Sequence, residues 1–158
     1  MKLRVAVVAI AATLAGLFVA PLPAHAAPDG IACSVVGSYS RVINGVAYTF
    51  WRVGGNGSYQ YWHAVQLAGS TQYYNRSYAV ICSGGTIAWS TDIFPTTGDP
   101  ARCNPQSTLT YRYVGSQDSY PFVGAFIPVR YHYWHVMRFV FSLPTGFWTY
   151  DHSEVARC

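Results

Sequence analysis

Lysine is nearly absent from this chain: of its ten basic residues only Lys2 is a lysine, and Glu154 is the only glutamate. Charged residues make up 10% of the sequence, which leaves little material for a basic stripe that could track phosphates. No stretch keeps a sustained helical period, so a helix bundle is excluded. Beyond the first 26 residues no apolar run is long enough to span a bilayer.

What is abundant is aromatic. Thirteen Tyr, eight Phe and five Trp accompany four Cys, with Gly or Pro breaking the chain every few residues. Tyr, Val, Phe, Trp and Thr between such breaks are the signature of an all-β protein. The spacing predicts strands over 34–42, 46–53, 58–67 and 73–82, and again over 108–114, 122–129, 130–141 and 148–158. Asn44-Gly45 is the strongest hairpin signal, because both residues tolerate positive φ.

The first 26 residues read as a secretory leader. Lys2 and Arg4 precede an apolar run, and Ala24-His25-Ala26 supplies a small-residue cleavage pattern. Cleavage there removes two positive charges and lowers the formal +4 to +2, so nucleic acid is not expected as a partner, and without a second apolar run neither is a membrane once the leader is removed. Secretion also explains the cysteines, since an exported chain of this size forms disulfides.

One string occurs twice. Tyr59-Gln60-Tyr61-Trp62-His63 returns 72 positions later as Tyr131-His132-Tyr133-Trp134-His135. The same offset superposes Tyr39 on Tyr111, Val42 on Val114, Tyr48 on Tyr120 and Phe50 on Phe122. A second block, Tyr74-Asn75-Arg76-Ser77 with Cys82, matches Tyr150-Asp151-His152-Ser153 with Cys158 at an offset of 76, as though four residues were inserted between blocks. An internal duplication is the expectation: a leader over 1–26, an arm over 27–32, one β unit over 33–82, a connector over 83–102 and a second unit over 103–158. Within the connector, Thr86-Ile87-Ala88-Trp89 reads as an edge strand. The two units are expected to form one domain, a sandwich or barrel over 27–158.

Copied units should carry their own bridges, which selects Cys33 with Cys82 and Cys103 with Cys158 from three connectivities. Cys33 with Cys158 and Cys82 with Cys103 is the competing pattern. Each preferred bridge closes a loop worth roughly 4 kcal/mol in the chain-entropy account.

Side chains alternate along a strand, so Tyr59, Tyr61 and His63 share one face and Trp62 takes the other, as Tyr131, Tyr133 and His135 are opposed to Trp134. These eight residues are the candidate binding site. Tyr and Trp rings suit stacking on a sugar or anchoring a protein, whereas the architectural alternative has them fill equivalent core positions. His63 and His135 are the natural candidates for catalysis, yet no nucleophile-elbow or zinc-protease string accompanies them. No metal or cofactor is expected. The reading is a secreted, non-enzymatic binding module that recognises an extracellular protein, as an adaptor subunit of a toxin or adhesin type of assembly or as an inhibitor. A glycan-binding domain is the alternative, and a small ribonuclease-like hydrolase using His the second.

Overall fold

A computed structural model describes residues 31–33, 37–97 and 99–158. The leader and most of the arm lie outside the described residues. Nine strands and one short helix follow in the order β1 (Ser38–Ile43), β2 (Val46–Asn56), β3 (Tyr59–Ala68), β4 (Thr71–Ser83), β5 (Thr86–Ile93), β6 (Pro95–Thr97), α1 (Pro100–Cys103), β7 (Tyr111–Ser119), β8 (Val129–Ser142) and β9 (Thr145–Arg157). The chain is thus nearly all-β. The strands form a five-stranded sheet, β1-β2-β3-β4-β5, and a four-stranded sheet, β6-β9-β8-β7, neither of which closes into a barrel.

Turn chemistry sets the first hairpin: Asn44 and Gly45 both hold positive φ, 50° and 79°, between β1 and β2. The connector carries more structure than expected. It contains β5, an edge strand that begins at the predicted Thr86, then crosses to the other sheet as β6, which pairs parallel with β9. Asp99 starts α1 by accepting from Ala101 N–H at 2.9 Å. Residues 122–129 do not form the predicted strand; only Val129 belongs to one, and 122–128 run as loop.

Both disulfides join the expected partners, Cys33 to Cys82 and Cys103 to Cys158. They place folding in an oxidising, non-cytoplasmic compartment. Among the described residues no helix is long and apolar enough to cross a membrane.

Each sheet is buried on two sides at its centre, so β3 and β8 carry unbroken buried runs rather than the alternation of a half-exposed strand. On the outer side of the first sheet, Trp62 packs with Ile31, Phe50, Tyr78 and Val80, alongside Cys82 of the disulfide. On the outer side of the second, Trp134 Nε1–H donates to the Arg102 carbonyl at 3.1 Å, beside Cys103. The inner faces meet through Tyr61, Tyr131, Tyr133, Ala79, Ile93 and Val155.

The 72-residue offset aligns β7 with β1, but in space β7 stands beside β8 as β2 stands beside β3. Both pairs are bulged at a Val-Gly step, between Arg52 and Gly54 and between Tyr113 and Gly115. The two steps touch. A Cβ on Gly54 would lie 2.6 Å from the Val114 carbonyl oxygen, and one on Gly115 2.6 Å from that of Val53. Only glycine allows this approach.

Candidate functional site

Six of the eight predicted site residues converge between the sheets, where β3 and β8 cross in opposite directions, whereas Trp62 and Trp134 point away to the outer sides. His63 Nδ1 meets the Tyr133 hydroxyl at 2.7 Å, and His135 Nδ1 meets that of Tyr61 at 2.5 Å. Tyr133 continues to Ser77 Oγ at 2.6 Å and Tyr61 to Ser153 Oγ at 3.1 Å. Each serine then reaches a tyrosine of its own strand, Ser77 to Tyr74 at 3.2 Å and Ser153 to Tyr150 at 3.0 Å. Rings follow the same reciprocity: Tyr74 lies 4.5 Å from Tyr131 and Tyr150 lies 4.3 Å from Tyr59.

The repeated Tyr-[Asn/Asp]-x-Ser block finds its reason here. In a regular strand residues three apart face opposite sides. Asn75 and Asp151 are each left out of the ladder, as bulges within β4 and β9, and this extra residue turns Tyr and Ser to one side.

Two features separate the halves. His63 also bonds Ser119 Oγ through Nε2 at 2.9 Å, a contact without counterpart at His135 among the described residues. Ser119 lies where β7 runs into the loop 120–128, whereas β2 passes into β3 through a tight turn at Gly57 and Ser58. Burial pulls the His63 imidazole down to about 3, and burial with the Arg112 charge pulls His135 down to about 4. Both are neutral near pH 7. Ser153 donates to the Tyr61 hydroxyl, which also meets His135 Nδ1, so this phenol is bonded on both sides. Burial raises the Tyr133 phenol well above its usual range. Weakly basic imidazoles tied to phenols, with no carboxylate hydrogen-bonded to either ring among the described residues, are poor general bases. What the arrangement does well is satisfy buried polar groups and fix the crossing of the sheets.

Exposure follows from this packing. Tyr61, Trp62, His63, Tyr131, Tyr133, Trp134 and His135 are all buried, at 3% exposure or less. Only Tyr59 is partly open. Open apolar groups cluster at two other places, both where the second half departs from the first, while Val42, Phe94 and Leu109 are exposed singly elsewhere. One is the loop 120–128, with Phe122, Val123, Phe126 and Ile127 exposed; it is held by Tyr74 N–H to Tyr120 O at 2.7 Å and Tyr120 N–H to Gln72 O at 3.0 Å. The other is the tip of the β8–β9 hairpin, with Phe139, Phe141, Leu143 and Phe147. Taking roughly 200 Å² for a full aromatic side chain, each patch exposes about 500 Å², the upper end of what monomers leave open.

Sequence reasoning missed both. It placed Phe122 at the start of a strand over 122–129 and Phe139 within the strand over 130–141. The signals were present: residues 139–150 carry no charge, and the change of offset from 72 to 76 falls within the hairpin tip.

A third feature is an open groove of ≈ 600 Å³ beside the β5–β6 crossing, lined by Asp92, Phe94, Asp99, Arg102, His152 and Glu154. Its charges are engaged. His152 lies 2.7 Å from Asp151 and 2.9 Å from Glu154, and Glu154 accepts from Arg102 Nε at 2.8 Å. Burial opposes protonation of His152, but these hydrogen bonds outweigh it and hold its pKa above the ordinary value. Ser153 Oγ, the hydroxyl a hydrolase would need here, is committed to Tyr61. Among the described residues no group of three or more His, Cys, Asp and Glu is arranged to hold a metal ion.

Compared with family models, curated proteins and solved structures, the chain matches none.

Proposed function

We propose that this protein is a secreted, non-enzymatic binding module that recognises an extracellular protein through the loop 120–128. The observation that carries the reading is the contrast between that loop and the turn in its place in the other half: a tight turn is replaced by an anchored excursion with Phe126 94% exposed. The Asp118–Arg130 pair closes the strands beneath it, at 2.7 and 2.8 Å. An apolar centre beside an exposed charged rim is the anatomy of a protein interface.

An ancestral duplication underlies the scaffold in this reading, with the two units packed as a sandwich. Support comes from the reciprocal His-Tyr-Ser networks, the matched bulges and the Gly54/Gly115 contact. Under it, what the halves share is architecture and what only one half carries is available for function.

Glycan binding by the repeated Tyr and Trp residues is less well supported, because their rings are enclosed. A hydrolase is likewise less well supported, because His63 and His135 are bonded to phenols. The test is capture from native culture fluid by the immobilised protein and by a Phe122→Ser/Phe126→Ser variant of equal thermal stability. A companion retained by the first and lost by the second supports the reading; equal retention refutes it.

A further inference from the structure

The β8–β9 hairpin presents a second apolar surface at the opposite end of β8, and its shape differs from that of the loop. Cross-strand partners share a face, so Phe139, Phe141 and Trp148 lie on one side of the ribbon and Val140 and Phe147 on the other. Leu143 forms the apex and is 83% exposed. The Phe139 ring lies over Gly146, occupying the space a Cβ there would need. A protein surface covers one side of such a ribbon; a medium that surrounds it covers both.

Three further observations specify the medium. No charged residue occurs from 139 to 150, and the first charges on either strand, Arg138 and Asp151, pair with each other at 3.5 Å at the base. Backbone groups that point into the ladder are paired from Phe139–Trp148 to Ser142–Thr145, whereas the outward groups of both edges have no neighbouring strand among the described residues, so they stay within reach of headgroups and water and limit the tip to shallow insertion. Trp148, half-buried at the neck and 5.5 Å from Phe139, stands where an interfacial aromatic belongs. We infer that the hairpin tip inserts into one leaflet of a lipid bilayer, with Phe139, Phe141, Leu143 and Phe147 in the acyl region and Arg138 and Asp151 at the headgroups. Phe139 to Leu143 extends roughly 13 Å, enough for interfacial insertion and far short of the ~30 Å needed to span. This revises the expectation of no membrane contact, which rested on the lack of a second apolar run; a hairpin reaches lipid without one.

The inference stands apart from the loop reading. Full-length mature protein is floated with phosphatidylcholine vesicles and with vesicles containing phosphatidylglycerol, beside Phe141→Ser/Leu143→Ser and the opposite-end Phe122→Ser/Phe126→Ser, all matched for thermal melting. Partitioning onto both vesicle types, reduced about tenfold or more by the tip variant and unchanged by the loop variant, supports insertion. A Phe141→Trp protein should show emission quenched by brominated lipid. Absence of partitioning, binding unaffected by the tip variant, or a tip-dependent dimer that ignores vesicles overturns it. Loss of culture-fluid capture in the loop variant alone leaves this result untouched.

Discussion

The hydroxyl of Tyr133 lies 2.7 Å from Nδ1 of His63 in a region with no solvent exposure on either residue. It bonds Ser77 as well, and so joins both sheets at one atom. Removing it leaves a buried imidazole nitrogen and a buried serine each short of a partner. Tyr133→Phe should therefore cost about 1–3 kcal/mol. Tyr61→Phe should cost less, since each serine keeps its own-strand tyrosine but His135 is less deeply enclosed than His63. Urea unfolding of the two variants measures the difference, and equal losses would argue against the asymmetry described.

Acid should destabilise the protein before its carboxylates titrate. His63 is held down to about 3 and His135 to about 4, below the ordinary 6.5, so from that value downward the unfolded chain binds protons that the folded chain does not. Stability is complete above about pH 6.5 and falls as pH drops toward these values, at up to about 1.4 kcal/mol per pH unit for each imidazole. His132, lowered by burial and then by Arg130, acts in the same direction. His152, with its raised pKa, opposes them: its contribution is present below the ordinary value and is lost as pH rises through the folded one. Melting temperatures from pH 8 to 4 should decline, and His63→Gln should flatten the slope.

Gly54→Ala and Gly115→Ala should each destabilise the fold, by about 1–3 kcal/mol, because the added carbon meets an opposing carbonyl. Gly37→Ala, with nothing within 4 Å, is the control and should stay within about 0.5 kcal/mol. Denaturation midpoints of the three proteins check the reciprocal contact.

Much of the fold was legible because β-sheet rules act locally. Asn44-Gly45 fixed the first turn, and the matched Cys33, Cys82, Cys103 and Cys158 reported their own pairing. Tyr-x-x-Ser was visible as a repeat but not as a contact, since its meaning depends on the bulges at Asn75 and Asp151. Alternation on β3 foretold opposite faces for Tyr61 and Trp62 but could not show that both are covered, one by the second sheet and one by Ile31 and its neighbours. Phe122 and Phe126 read as strand material because apolarity alone does not say whether a segment finds a ladder to join. The bulged β7 takes the place beside β8 that β2 takes beside β3, a relation set by spatial pairing rather than by the 72-residue offset.

The central claim is that the shared scaffold serves architecture and the loop added to one half carries recognition. The most direct measurement compares Phe122→Ser/Phe126→Ser with Tyr133→Phe for both melting temperature and capture of a partner from culture fluid. The account predicts that the loop variant melts like the parent yet loses its partner, and that the core variant melts lower yet keeps it while folded. Retention of the partner by the loop variant, with loss in the folded core variant, would contradict it.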